Sequence, residues 1–425
     1  MTQERIKLAP TYDELKEKSP LSAELISEDI WDGIHMVNQR TTDGLDGMWN
    51  DNLEVNLKSS WFTDHMRANE LHGLGTNKAT IGVGAGPSLK KNEHILKLIS
   101  DINISTTLDN HPFIIISSNH MYKPLLEKEI YPHFVMLIDG GDAVYDQLCR
   151  DVPKNDKTIL LAPLQIHPRI AEEWTKQGRS IVWCNSLDED KQELYENITG
   201  DDASKVGLEF GGNVLNCIWA ASLKFLRSFV FFAVGNDLSF PRDKSLKKRR
   251  KGYYATGDYE INIKNMRDEA KQQSAWMGFD LKYSEIMMRP YVDFQPVNMS
   301  HTLFTYKIWC ESQVIINAEN SPVDWHYFNC SEAGSLGVMS KGKTKEEMAR
   351  EDNWYLLDSH PIVGKYYHTA RLEDAAERWM RWREQKARNV VKGILTDAKS
   401  AGILHQPTSI VDGAGRILRQ SRSIH

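Results

Sequence analysis

Cysteine is scarce in this chain: five in 425 residues, widely spaced and with no CxxC pair. That excludes a disulfide scaffold and a cysteine-built zinc site, and it fits a reducing cytoplasm with buried free thiols. No run of about eighteen apolar residues occurs, so no membrane-spanning helix is expected. The nearest candidate, Cys217 to Val234, is interrupted by Lys224 and Arg227 and reads as a buried helix followed by a strand. The N-terminus, MTQERIKLAPTYDELKEK, has no apolar signal core. Nor is there a basic excess: the formal net charge is −6, which excludes a uniform nucleic-acid coater. The charge is uneven. Arg371 to Arg422 holds eleven basic and six acidic residues, +5, which leaves −11 elsewhere.

What is present is ordinary for a globular protein: 41% hydrophobic and 26% charged residues. The length suggests about two to three domains. Residues 1–77 read as a polar, mainly helical accessory region, with Ser27–Asn38 as its clearest helix. From Lys78 the texture changes. Strands are expected at 79–84, 113–117, 133–138, 158–161, 180–184 and 229–234, separated by helical patterns. These runs are apolar throughout rather than alternating, which suits parallel strands buried on both faces. The rhythm predicts an α/β fold with a doubly wound, mostly parallel sheet. A further strand is expected at Ser312–Ala318. Residues 78–340 are taken as the catalytic domain, with a lid insertion around 241–312. Residues 341–400 form a C-terminal helical region with one amphipathic helix at 370–398, on which Trp379 and Trp382 pack inward. Residues 401–425 form a loose tail.

Polar and glycine-rich segments cluster at the expected strand ends. IGVGAGPSL places Gly84, Gly86 and Ser88 where a strand turns into a helix. Glycines permit a tight turn and close approach to a ligand, and helix-start N–H groups favour phosphate. Such a turn is also common as a turn alone, and this one is neither a Walker A loop nor GxGxxG. Asn119 and His120 follow FIIISS, where capping is the other reading for Asn119. Asp139 follows HFVMLI and offers a carboxylate to a metal or a ribose, or simply caps. Gly212 and Asn213 open an apolar helix. Asn236 and Asp237 follow FVFFAV. Ligands of open α/β sheets bind at such ends.

The ordered set GAGPSL, SSNHMYKPLL, IYPHFVMLIDG and GGNVLNCIWAASLKFLRSFVFFAVGNDLSF resembles the family of motility accessory factors and the archaeal 6-hydroxymethylpterin diphosphokinase. The later WCESQVIINAENSP…FNCSEAGSLG looks like that family's tryptophan–glutamate and N-x-[ST]-E-G-G segment, with Ala333-Gly334 departing from it. The GxGPSL turn is also similar to bacterial sialyltransferases that use CMP-activated sugars. The resemblance implies a Rossmann-like domain acting on a nucleotide-bearing donor, either a nucleotide-activated sugar or ATP, with Mg2+ as a companion. It implies Gly84, Gly86 and Ser88 at the phosphates, and Asn119 and Asp139 toward the base and ribose. It places Asn236 and Asp237 facing the donor, and Glu332 in the late segment.

The expected function is glycosyl transfer. The alternatives are diphosphate transfer from ATP to a hydroxymethyl acceptor and a non-catalytic nucleotide-binding module. Asp237, His120 and Glu332 are the catalytic candidates, with His301, His326 and His360 as further histidines of the covering region. The acceptor is left open among protein, glycan, pterin and modified base. Lys244–Lys251 (KSLKKRRK) is the densest charge run, either a clamp for an anionic group or a solvated loop. Tyr253 and Tyr254 beside it offer stacking or packing.

Overall fold

A computed structural model of the chain describes residues 11–18, 20, 23, 28–107, 110–153, 156–241, 301–321, 323–339 and 363–400, and short strands at 250–251, 260–261, 284–288, 295–299, 355–356, 410–411 and 417–418. The chain divides into two compact units, Met1–Ala375 and Ala376–His425.

The first unit is built on a ten-stranded sheet. Its strands are β1 (Met66–Arg67), β2 (Ala79–Val83), β3 (Phe113–Ser118), β4 (Phe134–Met136), β5 (Ile159–Pro163), β6 (Ile181–Ser186), β7 (Gly207–Leu208), β8 (Val230–Val234), β9 (His326–Asn329) and β10 (Tyr367–Thr369). The order is β1-β6-β5-β4-β3-β2-β8-β9-β10, with β7 also on β6. Every pair is parallel. The α/β, Rossmann-like expectation is met.

The strands alternate between two cores. Phe134, Met136, Val182 and Cys184 join one apolar cluster, while Val135, Leu137, Ile181 and Trp183 join the other. A period of two splits each strand between two faces, so both faces need apolar side chains and both are covered by helices. This is why the strands read as unbroken apolar runs. All five cysteines are free and buried.

The helices that position the site are α1 (Glu28–Leu57), α2 (Glu93–Ile104), α3 (Tyr122–Glu127), α4 (Pro168–Lys176), α5 (Glu189–Thr199), α6 (Val214–Ala221) and α7 (His301–Asn320). The helix expected directly after the Gly84 turn is broken. A 3₁₀ turn at Pro87–Lys91 ends at Asn92 before α2 begins. The strand expected at Ser312–Ala318 is instead part of α7. Its Ile308, Ser312 and Ile315 are buried at helical spacing. A short apolar run reads alike as buried helix or buried strand, and only its length decides.

In the second unit a helix begun at Leu372 runs to Ser400, as the amphipathic pattern predicts. Arg381 and Arg388 pair with Glu377 and Glu384 one turn earlier. Trp379 stacks on Trp382 with ring centroids 4.9 Å apart. Trp382 is 49% exposed, so it does not pack inward as expected. No described helix is long and apolar enough to cross a membrane.

Candidate functional site

The sheet changes direction between β2 and β8. From β2 the chain winds outward through β3, β4, β5 and β6, then returns to place β8 on the other side. The carboxyl ends at such a switch point leave a crevice, because the connections depart in opposite directions. Gly84–Ser88 follows β2 and Gly235–Asp237 follows β8, so the structure brings these expected site residues together.

The two loops are tied closely to each other. Gly84 N–H donates to Val234 O, and Gly86 N–H donates to Gly235 O, both at 2.8 Å. A Cβ on Gly84 would run into Gly235 O, and one on Gly235 into Gly84 O. The backbone approach here requires glycine on both sides.

Asp237 completes the junction. Its carboxylate accepts the Ser88 backbone N–H at 2.9 Å and the Ser88 hydroxyl. The anion at the start of the Pro87–Lys91 turn is therefore the chain's own side chain. Burial pushes the Asp237 carboxyl up to about 6, and the Ser88 bonds pull the other way. Asn236 was expected to face the donor but is turned inward. Its N–H donates to Ser331 Oγ at 2.9 Å, and its Nδ2 donates to the Tyr327 hydroxyl at 3.2 Å.

The late segment closes over Asp237. Gly334, at φ +94°, lies so close that a Cβ would sit inside the Asp237 backbone. Ser335 N–H donates to Asp237 O at 2.8 Å. Ala333 thus stands at the first glycine position of N-x-[ST]-E-G-G, while Gly334 keeps the second, where this chain needs a bare, left-handed residue. Glu332 is half-buried with φ +56°, and its carbonyl accepts from Lys91 Nζ at 2.8 Å.

On the β3 side more is left open. Asn213 caps α6, accepting Leu215 and Asn216 N–H at 2.8 and 3.0 Å. Its buried Nδ2 has no partner among the described residues, and neither do Ser117 Oγ and Ser118 Oγ at the end of β3. Ser118 follows Ile114 and Ile116 on the sheet face that packs Leu215 of α6. Gly212 lies against the Tyr306 ring of α7. Asn119 Nδ2 donates to Gln147 Oε1 at 2.7 Å. His120 is half-buried in the 3₁₀ turn after β3.

Asp139, after β4, is exposed and accepts Gly141 N–H at 2.8 Å. Among the described residues no three histidine, cysteine, aspartate or glutamate side chains stand together as a metal cluster. Asp139 would offer magnesium one carboxylate, with the other ligands coming from donor phosphates and water.

His326 is placed away from the site. It opens β9 at the amino end of the sheet and meets His368 at 3.1 Å. Burial lowers its pKa. His360, Tyr253, Tyr254 and residues 244–249 of the basic run lie outside the described residues. So do the side chains of Arg250, Lys251 and His301, and most of the proposed lid.

One part of the site was missed in the sequence. The last two turns of α1 lie across the carboxyl ends of β4 and β5. Asn52 Nδ2 donates to Gly140 O and Gln165 O, each at 3.0 Å. Asn56 Nδ2 donates to Leu164 O and Ile166 O at 2.7 and 2.8 Å. The available signal was the spacing of Trp49, Asn52 and Asn56 on one helical face, beside the apolar pair Leu53 and Leu57.

Residues 51–243 match the model of the 6-hydroxymethylpterin diphosphokinase MptE-like family. This span is similar to that family. The MptE-like match begins inside α1 and ends after β8, so it includes both asparagine clips and both loops of the switch point. It bears out the resemblance carried by the ordered motifs. No curated protein matches the chain. Among solved structures, the MAf glycosyltransferase from Magnetospirillum magneticum AMB-1 is similar at 16% identity and TM-score 0.41. That similarity covers 61% of this chain and 32% of the other. The chain therefore spans about a third of that protein's length.

Proposed function

We propose that the chain is a transferase that moves a sugar from a nucleotide-activated donor to an acceptor hydroxyl. The observation that carries this reading is a pair of donors beside the switch point with no partner among the described residues, Ser118 Oγ and Asn213 Nδ2. Buried polar groups are normally bonded, and these two groups suit phosphate oxygens. The Ser88 amide is spent on Asp237. The donor phosphates are thus assigned one strand over, between the β3 end and the start of α6.

In this reading Asp237 takes the acceptor's proton through Ser88. The acceptor hydroxyl oxygen forms a bond to the anomeric carbon as the bond from that carbon to the phosphate oxygen breaks. The phosphate leaves with that electron pair. The acceptor's proton passes to Ser88 Oγ while the Ser88 proton passes to Asp237. A carboxyl near 6 is suited to such transfer at neutral pH. His120 and Glu332 are kept as alternatives for contact with the acceptor.

The MptE-like match supports a second reading, diphosphate transfer from ATP to a hydroxymethyl acceptor. It uses the same crevice and the same proton route. The test is a thermal-shift and turnover screen of CMP-, UDP- and GDP-sugars and of ATP, with and without magnesium. A nucleotide sugar is expected to raise the melting temperature and to be slowly hydrolysed. Tight ATP binding with magnesium-dependent AMP release, and no response to any nucleotide sugar, replaces the first reading with the second. Binding without turnover of either donor makes the chain a binding module.

A further inference from the structure

The segment that closes over Asp237 is held at both ends. At its start, Cys330 O accepts from Asn92 Nδ2 at 3.1 Å, and Ser331 Oγ accepts the Asn236 N–H at 2.9 Å. In its middle, Ser335 N–H donates to Asp237 O at 2.8 Å and Ser335 Oγ to Leu238 O at 3.2 Å. At its far end, the N–H of Gly337 donates to Glu311 Oε1 of α7 at 3.0 Å.

Glu311 is an unusual residue for that place. Its side chain and that of Lys307, one helical turn earlier, are both 0% exposed and paired with each other. Burial pushes the Glu311 carboxyl up and the Lys307 ammonium down, and the attraction between them opposes both shifts. Taking two charges out of water is costly, and an apolar pair of similar volume is often at least as stable. Stability alone therefore does not account for the pair. What an apolar pair lacks is an acceptor for the Gly337 N–H.

The same helix reaches the other side of the crevice. A Cβ on Gly212 would meet the Tyr306 ring, and one on Gly211 the Trp309 ring. Asn216 Nδ2 donates to Gly211 O at 2.9 Å and to Tyr306 O at 3.2 Å. Residues 306–311 thus touch both the turn that opens α6 and the cover of Asp237.

We propose that Glu311 is a positioning residue for Asp237. Fixed by Lys307, it anchors the far end of residues 331–337, and so keeps Asp237 covered and its carboxylate turned to Ser88. The catalytic consequence rests on the reading that Asp237 takes the acceptor's proton; the structural consequence does not. Among the described residues the charge acting on Asp237 is Lys91, and the charge acting on Glu311 is Lys307, with the Cys310 thiol beside the pair.

The test uses the full chain with Lys307→Met as a common background, so that no buried ammonium is left unpaired. Glu311→Gln keeps an acceptor for the Gly337 N–H. Glu311→Ala and the space-filling Glu311→Met remove it, and the methionine variant serves if the alanine variant fails to fold. Hydrogen exchange at residues 331–338 is expected to stay within about twofold of wild type with glutamine. Without the acceptor it is expected to rise about tenfold, one hydrogen bond's worth, while exchange in β2 is unchanged. The pH at which each chain loses stability relative to its Asp237→Asn counterpart is expected to stay near 6 with glutamine and to fall toward the ordinary 3.8 without the acceptor. With a donor that wild type turns over, losing the acceptor should lower kcat about tenfold with KM within about threefold, and glutamine should restore it. Equal exchange and equal pH midpoints in the glutamine and methionine variants overturn this inference alone. No turnover of any donor by wild type overturns the reading of Asp237 as proton acceptor, and exchange and midpoint then decide the positioning role by themselves.

Discussion

The two flanks of the switch point are finished in opposite ways. On the β8–β9 flank nearly every polar group is bonded inside the protein: Asp237 to Ser88, Asn236 to Tyr327 and Ser331, Ser335 to Asp237. On the β3–β6 flank α1 is clipped down by two asparagines, yet Ser117, Ser118, Gln165 and Asn185 each keep an atom with no partner among the described residues. A sealed flank stores stability, because each buried group there would cost about 1–3 kcal/mol if its partner were removed. An open flank gives up that stability.

The hardest blow to the sealed flank is Gly334→Ala. A methyl group there meets the Asp237 backbone at a left-handed φ, and a loss of about 3 kcal/mol or more is expected in chemical denaturation. A loss under about 1 kcal/mol would show that the late segment is not seated on Asp237.

Next is the pH response of Asp237. Burial raises its folded-state pKa to about 6, above the ordinary aspartate value of 3.8. The stability this confers is present in full below about 4 and is lost as pH rises through about 6. Wild type should therefore lose stability relative to Asp237→Asn between pH 4 and 7.5, by on the order of 3 kcal/mol. Parallel melting curves across that range would argue against the buried carboxylate.

Smaller again, Asn52→Ala leaves the Gly140 and Gln165 carbonyls without their donor and should cost about 1–3 kcal/mol. It should also raise hydrogen exchange in residues 44–57. The smallest effect belongs to the open flank. Gln165→Leu removes an unpartnered acceptor, so unfolding in the absence of ligand should shift by less than about 0.5 kcal/mol, in either direction. A cost above 2 kcal/mol there would erase the contrast between the flanks.

The same contrast separates what could be read in the sequence from what could not. β2, β3 and β8 were legible because strands buried on both faces are apolar at most positions rather than at alternate ones. The glycine turns were legible as turns. The use of Ser88's donors was not, because the acceptor, Asp237, lies 149 residues away. Local pattern carries no information about such a partner. The asparagine clips were hidden for a related reason: they grip main-chain carbonyls, which have no letter in the sequence. Ser312–Ala318 was misread because a seven-residue apolar run has too little length to choose between periods.

The clips themselves have a consequence for how this molecule can change over time. Asn52 and Asn56 donate to four carbonyl oxygens, and Asn56 Oδ1 in turn accepts from Trp61 Nε1 at 2.9 Å. Every amino acid brings the same carbonyl, so a change of side chain at 164, 165 or 166 leaves the helix its acceptors, whereas Gly140 has to stay glycine because a Cβ there would meet Trp49 and Gln165 O. Sequence at this corner under α1 can therefore drift at some positions and not at others while α1 keeps its hydrogen bonds.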